Sequence, residues 1–112
     1  MKKLKIVNNF ENPEDAKLAT LAKATLKRSG AKQAAALRDT TGRTYVAINI
    51  ASPSLTLNAL DAVFTVAMAS QITGIEGVVI AGEKPMTTGA IRENSPSASL
   101  FFISDGGDIS PL

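Results

Sequence analysis

The chain has 112 residues, enough for one domain with a single core, and 45% of them are hydrophobic against 20% charged, which excludes a disordered or fibrous protein. It contains no cysteine and no histidine, so a disulfide framework, thiol redox chemistry, serine–histidine catalysis and nearly every way of building a zinc site are excluded at the outset. The net charge of +2 is unevenly spread: residues 1–43 carry ten Lys/Arg against four acids, and residues 44–112 carry two against six.

Such a gradient reads in one of two ways, as a phosphate- or nucleic-acid-facing N-terminal half or as a solvated helix face complementing acidic surface on a neighbouring subunit. The second is the usual role of a charge run. Aromatic residues are few, Phe10, Tyr45, Phe64, Phe101 and Phe102, so the core is expected to be packed by Leu, Ile, Val and much Ala. Alanine allows close approach but contributes little apolar area, which makes further burial at a subunit interface favourable.

Residues 1–11 read as an N-terminal extension. Its basic start, Met1 to Val7, is interrupted by Asn8, Asn9 and Glu11 before an apolar stretch of signal-peptide length develops, and no apolar run approaches the ~20 residues that span a bilayer. A cytoplasmic, non-membrane protein is the expectation. Asn12-Pro13-Glu14-Asp15 is a helix start, with a capping side chain, a proline at the first helical position and acids at the positive end of the dipole. Leu18, Leu21, Ala22, Thr25 and Leu26 continue at helical spacing to about Arg28, and Gly30 can end the helix.

Residues 34–38 and 44–50 flank Asp39-Thr40-Thr41-Gly42, whose Asp and Gly predict a hairpin turn between two strands. After Ser52-Pro53-Ser54, a second helix is expected over residues 55–71, with Leu60, Val63, Phe64, Ala67 and Met68 at helical spacing and Asp61 its only charge. A helix so apolar should be covered on more than one side, by the sheet and by another chain. Gly77 to Gly82 reads as a buried strand reached through a right-handed parallel crossover. Residues 83–98 read as an irregular segment with at most one helical turn, 99–103 as a strand, and 105–112 as a polar tail. Asp105-Gly106-Gly107-Asp108 could hold a divalent cation weakly, but reads first as a polar turn. The whole is one α/β domain over residues 1–112.

The order of these elements, with Ala34-Ala35-Ala36-Leu37, then Thr41-Gly42-Arg43, Tyr45, Asn49-Ile50 and Ser54, resembles the small single-domain cytidine deaminase family. The resemblance is best over residues 13–82. It implies a three-layer α/β fold: a mixed sheet with an N-terminal hairpin and helices packed on its faces. In that family a zinc ion held by cysteines, or by one histidine and two cysteines, activates water, and a glutamate moves the proton.

Carried over residue by residue, Leu60 stands at the first ligand position, Ala62 at the glutamate position, and Thr88 and Ile91 at the two remaining ligand positions. Asn49 keeps an asparagine that holds ribose in the family, whereas Ala51 replaces its glutamate partner. Asn49 and Tyr45 are therefore the candidate nucleoside-binding residues, the alternative for Asn49 being a strand-end or helix-facing hydrogen bond. Asp61 reads as a surface or capping residue. No phosphate-binding glycine loop and no carboxylate set at metal-binding spacing is present.

The resulting expectation is a zinc-free, catalytically inactive deaminase-like protein without metal or cofactor, acting as a structural or interaction protein and assembling as a homodimer or homotetramer. A nucleoside- or nucleotide-binding module without turnover is the alternative, and an active pyrimidine nucleoside deaminase the least favoured reading. Nucleic-acid binding is not expected in the absence of aromatic platforms.

Overall fold

Helix α1 (Pro13–Ser29) begins where its sequence directs. The Asn12 side chain accepts from the Glu14 N–H at 2.9 Å, Glu14 and Asp15 occupy the first turn, and Lys27 and Arg28 the last. Gly30 closes it in the left-handed region, φ +68°, with its N–H bonded to the Leu26 carbonyl. The computed structural model describes residues 10–112, so most of the expected N-terminal extension lies outside the described residues.

Strands β1 (Gln33–Asp39) and β2 (Thr44–Ile48) form the predicted hairpin. Asp39 builds the turn: its Oδ1 accepts from the Thr41 N–H, the Thr41 hydroxyl and the Arg43 N–H, at 2.9, 2.7 and 2.9 Å. Burial pushes the Asp39 carboxyl upward, but the Thr41 hydroxyl, the two backbone donors and the Arg43 charge outweigh it and hold the group below its ordinary value of 3.8. A lowered folded-state pKa means that the unfolded chain binds the proton more readily, so this contribution is complete above pH 3.8 and is lost as pH falls from there through the folded value. Asp39→Asn is therefore expected to lower the urea midpoint at neutral pH and to converge on the parent protein in acid. A gap that stays constant at every pH would locate the loss in shape rather than charge.

Two boundaries differ from expectation. Strand pairing with β1 stops at Ile48, and residues predicted to extend β2 or to open a helix instead form a small hairpin, β3 (Ile50–Ala51) and β4 (Thr56–Leu57). Ser52 closes it, its N–H and hydroxyl donating to the Leu55 carbonyl and its Oγ accepting from the Leu55 N–H, all at 3.0 Å. Helix α2 then runs over Ala59–Ala69 rather than 55–71. Asn58 sets its start by accepting from the Asp61 N–H at 2.8 Å, and Gln71, at φ +60°, lies beyond its end. The Asp61 carboxylate accepts from Asn58 Nδ2 at 3.4 Å, a side-chain contact beside the cap that Asn58 itself supplies.

Strand β5 (Ile75–Gly82) is followed by α3 (Gly89–Asn94), β6 (Ser99–Ile103) and β7 (Ile109–Pro111). The irregular segment thus contains a defined helix, and the polar tail is corrected to a turn and a strand. Gly107 and Asp108 donate to the Ser104 carbonyl and Oγ, while Ser104 N–H donates to the Asp108 carbonyl, turning the chain so that β7 pairs antiparallel with β6.

The five strands lie in the order β2-β1-β5-β6-β7. Strand β1 is antiparallel to both of its neighbours, and β5 is parallel to β6. The crossover through α2 therefore does link strands of equal direction, β2 and β5, but β1 lies between them. The crossover through α3 links true parallel neighbours.

Alternation along the strands makes two cores. Ala36, Val79, Ala81 and Ile103 pack with Leu18, Ala19 and Ala22 of α1. Leu37, Val78, Ile80 and Leu100 pack on the other face with Leu60 and Val63 of α2 and Ile91 of α3. The molecule is a three-layer α/β/α structure.

Candidate functional site

A groove of about 310 Å³ opens where β1 begins and α2 starts, lined among others by Gln33, Asn49, Ala51 and Asn58, with Lys32 and Lys84 at its sides. Gln33, 7% exposed, ties its walls together: Oε1 accepts from the Ala59 N–H, the first of α2, and Nε2 donates to the Glu83 carbonyl, both at 3.0 Å. Asn49 Oδ1 accepts from the backbone N–H groups of Lys32 at 3.2 Å and Gln33 at 3.0 Å, and its own N–H donates to the Gln33 carbonyl. Its carbonyl is thus committed to holding the start of β1, while Nδ2 has no protein partner among the described residues.

The structure brings Asn49 and Ala51 together in this groove. It does not bring Tyr45 there: that ring lies on β2 opposite Leu37 and packs against the α2-side core. Leu60 and Ile91 are both fully buried, and both belong to the same apolar cluster. Ala62 is buried as well, at 5% exposure. Thr88 is half-buried at the start of α3 and makes no side-chain capping bond.

These four positions do not fit a zinc ion. Two are hydrocarbon inside a packed core, one is a methyl group, and one is a hydroxyl without a thiolate or imidazole beside it. Among the described residues, no three His, Cys, Asp or Glu side chains are grouped so as to hold a metal.

Gln33 and Asn58 escape sequence reasoning as site residues for different reasons. Asn58 followed by Asp61 three residues later is a legible capping pattern. Gln33 shows only as one polar residue preceding an apolar run, and its two distant partners belong to the tertiary structure.

The arrangement defines a class first: a three-layer α/β domain whose groove sits at the start of the helix after the hairpin. Solved structures with a similar fold include cytidine deaminases from Burkholderia pseudomallei (TM-score 0.68, 21% identity, covering 86% of this chain and 89% of that one), Mycobacterium leprae (0.64, 15%, 85% and 90%) and Bacillus anthracis (0.67, 16%, 90% and 84%). No curated protein is detectably similar in sequence. The sequence matches the cytidine deaminase-like family over residues 11–107. The chain belongs to that family.

Proposed function

We propose that this protein is a zinc-free, catalytically inactive member of the cytidine deaminase-like family that works as a structural or interaction protein. The observation that carries this reading is the burial of Leu60 and Ile91 in one apolar cluster: the volume a metal centre would need is filled by side chains of the core. Without a ligand, a proton-shuttling carboxylate at Ala62 or any histidine or cysteine in the chain, no metal-bound hydroxide can be formed or used.

Purified protein is expected to carry no stoichiometric zinc and to leave cytidine absorbance unchanged. Stoichiometric zinc together with turnover overturns the proposal. We place the protein in the cytoplasm as a homo-oligomer. Among the described residues no helix is long and apolar enough to cross a membrane, and α2 leaves Val66 42% exposed on an otherwise apolar helix.

The groove at Asn49 supports a second reading, nucleoside or nucleotide binding without turnover. Its test is thermal: saturating ligand should raise the melting temperature by ~1 °C or more, and no shift with millimolar nucleosides and nucleotides excludes it.

A further inference from the structure

Strand β2 is an edge of the sheet, and among the described residues nothing pairs with its outer side. Which of its backbone groups face outward follows from the hairpin register. The Asn49 N–H donates to the Gln33 carbonyl, and the Asp39 N–H donates to the Arg43 carbonyl, so the odd-numbered residues of β2 face β1. Antiparallel pairs alternate. Thr44, Val46 and Ile48 therefore direct their N–H and C=O groups away from the molecule.

Natural edge strands are blunted by charge, proline or a bulge. Thr44-Tyr45-Val46-Ala47-Ile48 carries no charge and no proline, and its register with β1 is unbroken. All three outward residues are β-branched, which suits pairing.

We infer that β2 is a self-association edge, pairing antiparallel with β2 of a second copy about a two-fold axis at Val46. This rests on the homo-oligomer reading above and specifies one of its interfaces. Centred there, Thr44 of each copy meets Ile48 of the other and Val46 meets Val46, so every outward N–H finds an outward C=O. The side chains agree with this choice of occupant. On the α1 face, Thr44 lies in a groove of about 410 Å³ whose lining includes Leu18, Leu21 and Ala24 together with Glu14, Lys17 and Arg38. The residue set beside Thr44 by this register is an isoleucine from the second copy. At the ends of the ladder Arg43 faces Asn49, so no like charges meet. A two-fold interface must be self-complementary, and this one is.

The natural absence of cysteine makes the test direct. Val46→Cys places one thiol of each copy at the axis, and a short thiol-to-thiol crosslinker is expected to yield a covalent dimer at twice 11.7 kDa. Val66→Cys, on α2, serves as the comparison. Thr44→Pro removes an outward N–H without breaking the ladder to β1, and should weaken self-association roughly tenfold or more by light scattering. Circular dichroism monitors its folding; if the variant does not fold, the crosslinking result decides alone. An oligomer that crosslinks through position 66 but not 46, or that is indifferent to Thr44→Pro, overturns the edge interface and leaves self-association standing. A monomer at micromolar concentration overturns both.

Discussion

Replacing Leu60 by alanine is expected to destabilise the protein by about 2–5 kcal/mol, the range for leucine truncations at fully buried sites. Leu60 has no exposed surface and is packed with Val63, Val78, Ile80, Ile91 and Leu100. Removing its terminal carbons forfeits the transfer of those carbons from water and leaves a void between α2 and the sheet. Since a domain of this size holds a total of only about 5–15 kcal/mol, the variant should lose a large part of its stability, read as a lower urea midpoint with unchanged slope.

A contrasting substitution sharpens the result. Ala51 is exposed in the groove, so Ala51→Glu should lie within about 0.5 kcal/mol of the parent. If instead Leu60→Ala is nearly neutral, Leu60 does not close a packed core, and the proposal of a filled former metal centre fails with it.

The second large effect concerns Arg38. Its guanidinium is buried, at 4% exposure, and meets Asp15, at 5%, through Nη2 and Oδ1 at 3.0 Å, and Glu76 through Nε and Oε1 at 2.7 Å. The Asp15 contact is an ion pair without hydrogen-bond alignment, and Nη1 has no hydrogen-bond partner among the described residues. Asp15 Oδ2 accepts from the Ser99 hydroxyl at 3.1 Å.

Gly77 makes room for the cluster. A Cβ there would come within 2.7 Å of Ser99 Oγ and 2.9 Å of Asp15 Oδ1. Burial alone would lower the Arg38 pKa, but the hydrogen bond to Glu76 and the charges of Asp15 and Glu76 raise it above its ordinary value.

Arg38→Ala is therefore expected to cost about 3–5 kcal/mol, because it leaves the Asp15 carboxylate buried without its counter-charge. Glu76→Ala should cost at most about 1 kcal/mol, since that side chain is half-exposed and its pairing is screened. The informative variant is the double Asp15→Leu with Arg38→Met, which replaces the pair by apolar volume and should recover most of the loss. Failure of the double variant to recover would show that the cluster holds α1 to the sheet by geometry that hydrocarbon cannot supply.

The elements that were legible in the sequence are those whose signal is local. Asn12, Pro13 and the acids of the first turn announce α1, Asp39 and Gly42 announce the hairpin, and the apolar run ending at Gly82 announces the central strand. The sequence opens α2 too early because the chain after Ser52-Pro53-Ser54 carries no breaker, whereas Asn58 supplies the cap and Ser52 closes a turn before it. Ile109-Ser110-Pro111 is too short and polar to signal a strand by itself, and β6 alone gives it pairing partners.

The sequence by itself determined that no zinc ligand exists, because a chain without cysteine or histidine has none to offer in any fold. It also determined that Asn49 and Ala51 stand close together, because they are nearly adjacent. Only the tertiary structure decided what became of the other positions. Leu60 and Ile91, far apart in the chain, meet in one cluster because α2 and α3 both pack on the face of the sheet presented by Leu37, Val78, Ile80 and Leu100. Tyr45 was turned away from the groove because β2 pairs it with Leu37, and Asn49 was committed to the backbone of Lys32 and Gln33. Residue identity limits the available chemistry locally, whereas burial and proximity depend on which distant segments the sheet brings together.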